Sequence, residues 1–482
     1  MGGGTRVVRG ALCAAILAAL SIESAPAITI RIDDGSDSAS ATGCTLRGAL
    51  SAVNSQAFQT PDPCSAAASG SFGQSDTLQF APQLVNSTIS LQQGALQVSV
   101  AMDIQGSGQT IDAGGQTTAL GVYCSHTPTC TTRISGVKVT NAVSSYSSAA
   151  IVVINASDVT FDNVTVTNNT GSDAWSAGIN VGGSHLTLNN CTITQNTNVA
   201  STTYLISAGA GVTVSGATLD VNNSTISGNH FLATGAVSSL AGGIAAEFST
   251  LRIVNSTIAL NNVDSVGPRV AGGILSETSD VRLSNVTVTE NVGKGSDVVA
   301  GGILFGAKSA SVNTTVELRN ATVSGNSVNT AGGGAAGIAF ASHYPAAAFS
   351  ATIANSIVSA NASPGPDLGF VNGLSTSIVT LQSDLFGSAM QGVVSGTNLS
   401  FNDAPGLAGL ANNGGVTQTM ALSPTSPAVG AGSATLAKFN GAPLQYDQRG
   451  VGYARAFSGT TDLGAFQTQG DRVFSAAFDV GP

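Results

Sequence analysis

Asn285-Val286-Thr287-Val288-Thr289-Glu290-Asn291 is one copy of a phrase that recurs along the chain with an Asn at each end. The first Asn of the phrase recurs after 27 to 35 residues, a period that is typical of solenoids and propellers. The chain is therefore built from repeats. The other copies are Asn163–Asn169, Asn190–Asn196, Asn223–Asn229, Asn255–Asn261, Asn320–Asn326 and Asn355–Asn361.

Apolar residues keep fixed positions around the first Asn of each copy. In the copy at Asn285, Val281 and Leu283 precede the Asn by four and two residues, and Val288 follows it by three. This spacing predicts one strand that ends at the Asn, a turn, and a second strand. A Gly-Ile or Gly-Val pair comes before the copies, as at Gly273-Ile274, and predicts a third strand.

Three short strands in about 30 residues, each stacked on its counterparts, predict an all-β fold, a right-handed parallel β-helix with three-strand coils. Leucine-rich repeats need Leu-rich helical segments, and propellers need about 40 residues or more per blade, so the pattern disfavours both. Asn is expected at the turns because its short side chain tolerates left-handed backbone and can hydrogen-bond along the stack.

The two ends of the chain differ from the repeats. Arg6 and Arg9, an apolar run from Ala11 to Leu20 and then Ala25-Pro26-Ala27 predict a secretory signal peptide. No later apolar run reaches about 18 residues, so we expect no membrane-spanning segment. Apolar residues at helical spacing in 44–54 predict one short helix that covers the open end of the solenoid.

These patterns divide the chain into five segments. The predicted segments are a signal peptide (1–27), an N-terminal cap with a short helix (28–76), the β-helix (77–400), an irregular C-terminal cap region (401–466) and a tail (467–482). A sorting role for the tail and a loosely docked terminus are both open.

Cysteine and charge counts limit the function. The mature chain keeps Cys44, Cys64, Cys124, Cys130 and Cys191, and the short spacings predict bridges Cys44–Cys64 and Cys124–Cys130 in an oxidising compartment. Cys191 occupies a strand position that small residues hold in other copies, so we interpret it as a structural residue. The mature chain has 14 basic and 25 acidic residues, a net charge of about −11, which disfavours nucleic acid as a partner.

Both ends of the mature chain resemble known bacterial secreted proteins. The phrase Cys44-Thr45-Leu46-Arg47-Gly48-Ala49-Leu50 resembles the CSLREA-type region, although Gly48 stands where that family usually has Glu. Leu410–Thr419, Leu422–Ala428, Asp447–Gly450 and Asp462–Phe466 resemble, in order and spacing, the choice-of-anchor Q region of extracellular β-helix proteins. The resemblance implies a β-helix between the two ends and no particular reaction.

The β-helix fold includes pectate lyases and polygalacturonases, so we searched for their chemistry. Glu247 and Glu277 follow their Gly-Ile pairs at matching positions. If these carboxylates stack, their repulsion raises a pKa or attracts a cation, which makes them candidate calcium ligands. The other interpretation is an acidic pair on the surface. No cofactor is predicted apart from this possible calcium ion.

Other polar residues gave no catalytic arrangement. The outward position three residues before the first Asn predicts a ladder of charges that neutralise each other. Its members are Thr160, Thr187, Asp220, Arg252, Arg282 and Glu317. His126, His185, His230 and His343 are isolated, with no second His at metal-ligand spacing. Trp175, with Tyr204 and His230, is a candidate surface for stacking sugars.

The sequence therefore predicts a secreted or cell-surface bacterial β-helix protein with a structural, adhesive or glycan-binding role, and we expect a monomer. A polysaccharide or a cell-surface glycan is the expected partner. The alternative is a carbohydrate-active enzyme, a polysaccharide lyase or a glycoside hydrolase, with an unfamiliar site. A phage or autotransporter-type passenger is a third interpretation.

Overall fold

The computed structural model describes residues 27–469 with gaps. The gaps are residues 39, 74, 116–117, 125–129, 146–148, 157, 202–206, 310–311, 330–333, 343–348, 363–364, 372–378 and 388–395. The predicted signal peptide up to residue 26 and the tail from residue 470 lie outside the described residues. His126, His343 and Tyr204 also lie outside them.

The described chain winds into a β-helix whose coils pass through four parallel sheets. Each coil enters sheet I and turns into sheet II, where it forms two strands or one long bent strand; the middle coils continue through sheet III or through sheets III and IV. Strands of the coils pair in parallel with the equivalent strands of neighbouring coils, as Ile274 does with Ile244 and Ile303, whereas Ala68–Ser69 of the N-terminal cap pairs antiparallel with Thr29–Ile32. The predicted right-handed parallel β-helix is confirmed.

The three predicted strands of each coil belong to sheets I and II. The strands of sheet I are Leu96–Val98, Leu120–Val122, Ile151–Ile154, Ile179–Gly182, Val212–Ser215, Ile244–Glu247, Ile274–Glu277, Ile303–Ala307, Ile338–Ser342 and Leu368–Val371. The strands of sheet II are Thr29–Ile32, Ala68–Ser69, Asp76–Phe80, Thr88–Ser90, Met102–Asp112, Thr131–Thr140, Asp158–Asp162, Thr165–Thr167, His185–Asn189, Thr192–Thr194, Thr218–Asn222, Thr225–Ser227, Thr250–Ala259, Asp280–Thr289, Thr314–Ser324, Phe349–Ala354, Ile357–Val358, Val379–Gln382, Leu385–Phe386, Gly396–Thr397 and Ser400–Phe401.

Sheets III and IV occupy segments that the sequence pattern treats as loops. Their strands are short and rich in polar or small residues, so they lack the alternation that marks a strand. The strands of sheet III are Val143–Ser145, Thr170–Ser172, Thr197–Ala200, His230–Ala233, Asn262–Ser265, Val292–Lys294 and Ser327–Val328. Those of sheet IV are Ala208–Gly209, Leu240–Ala241, Val270–Ala271, Val299–Ala300 and Gly334–Ala335.

The extra sheets add a second layer to the solenoid. The main core lies between sheets I and II, where Ile274, Leu283 and Val288 are fully buried. Sheets III and IV pack together around residues such as Phe231 and Val270. Alanines of sheet IV pack on outward residues of sheet I such as Leu275. Burial of each large apolar side chain stabilises the fold by about 1.5–3 kcal/mol.

The first Asn of each repeat forms the bend in sheet II. All seven have left-handed backbone, with φ between 48° and 53°. Asn adopts this conformation at lower cost than other residues with a side chain. The predicted use of Asn at this turn is confirmed. The seven are Asn163, Asn190, Asn223, Asn255, Asn285, Asn320 and Asn355.

The second Asn of each repeat bonds through its side chain to an equivalent residue on the next coil. These side chains are buried, except for the partly buried Asn361, and form one continuous ladder in which each Nδ2 donates to the Oδ1 of the next coil at 2.8–3.0 Å. The ladder ends where Asn361 donates to Asp367 at 2.7 Å. The members are Asn169, Asn196, Asn229, Asn261, Asn291, Asn326 and Asn361.

The N-terminal cap closes the first coil. Helix α1 (Leu46–Ser55) begins at Thr45, whose side chain accepts a hydrogen bond from Gly48 N. The helix buries Leu46, Ala49, Leu50, Ala52 and Val53. It is the only α-helix in the described residues, and with ten residues it is too short to cross a membrane.

Helix α1 also satisfies the open edge of sheet I. Asn54 Nδ2 donates to Gln97 O at 2.8 Å, and Asn54 Oδ1 accepts from Ser99 N at 2.9 Å. Gln97 lies in the first strand of the sheet and Ser99 follows it, and among the described residues no strand pairs with this edge. The predicted capping helix therefore replaces a missing coil.

The polypeptide chain is also cross-linked near its N-terminal end. Disulfides join Cys44 to Cys64 and Cys124 to Cys130, as predicted. Cys191 is a buried free thiol. Burial raises its pKa to about 12, so it remains a neutral thiol at physiological pH.

The irregular C-terminal region contains two antiparallel hairpins. Leu407–Ala411 pairs with Thr419–Leu422, and Lys438–Phe439 pairs with Ala442–Pro443. The region lies along the outer flank of sheet II, where Thr257, Thr287 and Thr322 bond to it through their hydroxyl groups.

The Asn ladder should contribute strongly to stability. Asn261→Ala removes the acceptor of Asn229 N and Nδ2 and the donor to Ile226 O, which leaves buried polar groups unpaired. We expect the free energy of unfolding to fall by roughly 2–5 kcal/mol in urea titrations. Asn190→Gly is the control, because Asn190 is exposed and glycine tolerates its φ of 53°. Equal losses in both variants would contradict the role of the ladder.

Candidate functional site

A groove of about 610 Å³ follows the turn between sheets I and II. It extends over several coils, from Ala156 to Asp280 and Asn313. Its volume lies within the range of ligand sites in proteins, about 300–1,000 Å³. The groove is therefore the leading candidate for a binding site.

The shape of the groove follows from one position in each coil. Asn155, Gly183, Gly216, Phe248 and Thr278 all have left-handed backbone at the turn after sheet I. The two glycines leave a depression, and a Cβ added at Gly216 would meet no atom within 4 Å. On the next coil Phe248 projects into solvent with 52% of its surface exposed. A depression beside an aromatic wall results.

The lining of the groove combines apolar and polar groups. Val312, which is also exposed, joins Phe248 on the apolar side. Thr218, Thr250 and Asp280 come from the starts of strands in sheet II and supply hydroxyl and carboxylate groups. Such a surface can stack on an apolar ring face and bond to its hydroxyl groups.

His185 lies in the groove between two carboxylates. Its Nδ1 is 2.8 Å from Asp158 Oδ1, and its Nε2 is 2.9 Å from Asp220 Oδ2. The three residues belong to three successive coils. The sequence shows no second His at metal-ligand spacing, but it did not predict these two carboxylate partners of His185. Asp158 and His185 each directly precede the first inward residue of a sheet II strand. This shared position in the repeat is the sequence feature that could have predicted their contact.

The two carboxylates change the titration of His185. Partial burial opposes its protonation, but the hydrogen bonds and negative charges of Asp220 and Asp158 outweigh this effect and raise the pKa above 6.5. The imidazole therefore stays charged to a higher pH than a free histidine.

The residues of the predicted charge ladder are in register, but Arg282 and Glu317 form their ion pairs with Asp280 and Arg319 on their own strands. Asp220, Arg252, Arg282 and Glu317 pair in register on successive coils. Arg252 contacts Asp220 at 3.4 Å, and Arg282 contacts Asp280 at 3.1 Å. These partly exposed pairs contribute about 0–1 kcal/mol each and mainly neutralise the surface.

Glu247 and Glu277 are register partners in sheet I, as predicted. Their charges are compensated within the chain. Lys308 Nζ lies 3.1 Å from Glu247 Oε1 and 2.5 Å from Glu277 Oε2, and Arg269 contacts Glu277 Oε1 at 2.6 Å. Burial raises the pKa of Glu277, but the charges of Arg269 and Lys308 outweigh it and the net pKa is lowered. The predicted rise in pKa is wrong for Glu277.

The ammonium group of Lys308 thus lies between the two carboxylates that the sequence suggests as candidate calcium ligands. In the described part of the chain, no group of three or more His, Cys, Asp or Glu side chains is arranged to hold a metal ion. Gly306 makes room for the cluster, because a Cβ there would lie 2.4 Å from Arg269 Nη2. We interpret Glu247, Glu277, Arg269 and Lys308 as a buried ionic cluster that fixes the loops over sheet I.

Trp175 and His230 do not line the groove. Trp175 is 41% exposed, but it is not among the residues that line the groove. His230 lies in a strand of sheet III. Tyr204 is outside the described residues, so the proposed grouping of these three side chains stays a prediction.

The C-terminal region holds the solenoid through the side chain of Gln448. Its Oε1 accepts from Thr287 Oγ1 at 2.6 Å, and its Nε2 lies 2.9 Å from Thr257 Oγ1 and 3.0 Å from Thr417 Oγ1. One amide therefore joins two adjacent coils to the C-terminal region. Asn285 adds a hydrogen bond to Tyr446 O at 2.8 Å.

Two arginines stabilise the C-terminal region itself. The guanidinium of Arg449 pairs with Asp447 at 2.6 Å and lies between the rings of Tyr453 and Phe466, at 3.9 and 3.8 Å from their centroids. Arg455 is fully buried and donates to Gly464 O and Asp462 O at 2.9 and 3.0 Å. Burial lowers the pKa of Arg455 to about 10. These contacts hold together the C-terminal region that bonds to sheet II.

The model of one protein family matches the chain. The family is described as "Right handed beta helix region", and its model matches residues 120–368, about half of the chain. A comparison with curated proteins found no match to this chain.

The ionic cluster can be tested with Lys308→Met. The substitution leaves Glu247 and Glu277 with Arg269 as their remaining nearby cation, so the pKa of Glu277 should rise. We expect a loss of roughly 1–3 kcal/mol in unfolding free energy at neutral pH. The loss should shrink as pH falls and the carboxylate is protonated. Recovery of stability on addition of calcium chloride would instead show that the carboxylates can hold a cation.

The docking of the C-terminal region can be tested with Gln448→Ala. The variant leaves the hydroxyls of Thr257 and Thr287 without their amide partner, which should cost roughly 1–3 kcal/mol. We expect faster proteolysis between residues 401 and 469, measured by mass spectrometry of the fragments. Gln445→Ala is the matched control because Gln445 is exposed. Unchanged proteolysis in Gln448→Ala would refute the bridging role.

Proposed function

The chain belongs to the right-handed β-helix family, and from this premise we propose that it is a secreted or cell-surface protein that binds glycans. It holds the glycan without cleaving it and serves in adhesion or in the structure of the cell surface. The groove between sheets I and II is the proposed binding site.

The observation that carries the proposal is the exposed ring of Phe248 beside a depression that two glycines leave open. Sugar rings present apolar faces that can stack on an exposed aromatic ring beside an open depression. Thr218, Thr250 and Asp280 are positioned to bond to sugar hydroxyl groups. The nearby charged groups are largely paired with each other, which favours an uncharged glycan.

Sequence features support an extracellular location. The first 27 residues have the pattern of a secretory signal peptide, and two disulfides suit an oxidising compartment. The resemblance of both chain ends to CSLREA and choice-of-anchor Q proteins favours a bacterial surface protein. We propose that the C-terminal tail takes part in its attachment.

A second candidate function is glycoside hydrolysis. The observation that favours it is the contact of His185, which lines the groove, with Asp158 and Asp220, since carboxylates and a histidine can serve as acid and base. Both imidazole nitrogens are already bonded to carboxylates, so one contact must break before His185 can exchange a proton with a substrate. Binding without turnover is therefore the first proposal.

Phe248→Ala tests the binding proposal. We expect calorimetric titrations of the mature protein with cellohexaose, xylohexaose and mannohexaose to reveal a ligand. The substitution should weaken its binding roughly ten-fold or more, because the stacking surface is lost. Phe401→Ala is the matched control, since Phe401 is 56% exposed and lies outside the groove.

The same samples separate the two candidate functions. Products of cleavage, measured by chromatography after long incubation, are not expected from the wild type. Turnover that is lost in Asp220→Asn would establish the hydrolase instead. Equal affinity of Phe248→Ala and the wild type would reject the groove as the binding site.

A further inference from the structure

We propose that Asp158 and Asp220 form a proton-operated clasp on His185, which lines the groove, and that this clasp is closed at low pH and opens as pH rises. The inference rests on the proposed glycan-binding function, because it concerns the regulation of that same groove. Glycan binding does not by itself require this pH dependence.

The geometry of the clasp requires two protons on one imidazole. A neutral imidazole has one N–H donor and one acceptor nitrogen, whereas the imidazolium ion has two donors. Both nitrogens of His185 face carboxylate oxygens, at 2.8 Å in Asp158 and 2.9 Å in Asp220. In the neutral form, one nitrogen lone pair would face a negatively charged oxygen. The complete clasp therefore exists only while His185 is protonated.

The surrounding charges decide which contact opens first. Asp220 has a second partner, because Arg252 Nη1 approaches its Oδ1 at 3.4 Å, and its side chain is 22% exposed. The side chain of Asp158 is 59% exposed, and within the described residues its ion pair is with His185. The neutral imidazole should keep its hydrogen bond to Asp220 and release Asp158 into solvent.

Other titratable groups near the clasp are already engaged. Asp280, which lines the same groove, contacts Arg282 at 3.1 Å. Asp162, on the strand of Asp158, contacts Arg133 at 2.6 Å. Thr218 is the register partner of His185 on the following coil and does not titrate. The protonation of His185 is thus the main local change of charge near neutral pH.

The direction of the pH dependence follows from the charge of His185. The folded protein binds this proton more tightly than an unfolded chain, whose histidine pKa is about 6.5. The clasp therefore contributes its full stability below about 6.5 and loses it as pH rises through the higher pKa of the folded state. Acidic conditions therefore keep the clasp closed.

The closed clasp, with both hydrogen bonds of His185 made, should strengthen ligand binding. Three coils are held by side chains at one end of the groove, so these side chains are ordered before the ligand arrives. Ordering a flexible side chain on binding costs about 0.5–1.5 kcal/mol, which equals about a two- to twelve-fold change in affinity. We expect the affinity for an uncharged oligosaccharide to fall by about this factor as the clasp opens.

The experiment measures the clasp and the ligand separately. Histidine ring signals of the full mature protein are titrated by NMR between about pH 5 and pH 9, and His185→Gln identifies the signal of His185. Binding of cellohexaose, xylohexaose and mannohexaose is measured by calorimetry over the same range. The variants are His185→Gln and Asp158→Asn, and Asp264→Asn is the control because its ion pair with Lys294 lies outside the groove.

The expected results are a pKa of His185 above that of a free histidine, a lower pKa in Asp158→Asn, and an affinity that falls with pH in the wild type and in Asp264→Asn. His185→Gln should bind with little dependence on pH. An unchanged His185 pKa in Asp158→Asn would overturn the clasp, as would an equal pH dependence of binding in His185→Gln. If no hexasaccharide binds at any pH, the proposed function fails, and the NMR titration alone still decides whether the clasp exists.

Discussion

The buried Asn ladder is the constraint on which the rest of the solenoid depends. Each Asn amide inside the turn must find partners, because an unpaired polar group in the interior costs about 1–3 kcal/mol. The oxygen of Asn261 accepts two hydrogen bonds from Asn229, and its amide group donates to Asn291 and to Ile226 O. These bonds fix both the register and the spacing of adjacent coils.

A fixed interior leaves the outer positions free to vary. The bend at the first Asn and the ladder at the second keep the strands in register, whatever side chain stands at the turn between sheets I and II. That turn carries Gly183 and Gly216 on two coils and Phe248 on the next. The depression and the exposed ring of Phe248 therefore arise from different side chains on coils that share one backbone conformation. That left-handed conformation favours glycine, so Phe248 costs stability there, as is common for residues at functional sites.

The sequence predicted those features that recur with the repeat and missed those that do not. The apolar spacing identified sheets I and II, and the Asn positions identified the bend. Sheets III and IV were missed because strands such as Thr197–Ala200 are short and polar. Lys308 lies outside the repeated phrase, so the sequence could not show that it neutralises Glu247 and Glu277. The His185 cluster joins residues 27 and 35 positions apart, which only their register brings together.

The Asn ladder also has a defined end. Each Asn side chain accepts from one neighbour and donates to the next, so the last Asn needs an acceptor that is not another Asn. Asp367 is that acceptor, because one of its carboxylate oxygens accepts from both Asn361 N and Asn361 Nδ2. Sheet II continues beyond this point through Val379–Gln382 and Leu385–Phe386, which pair in parallel with the preceding coil. The ladder therefore ends before sheet II does, and these later strands pair without a further member of the ladder.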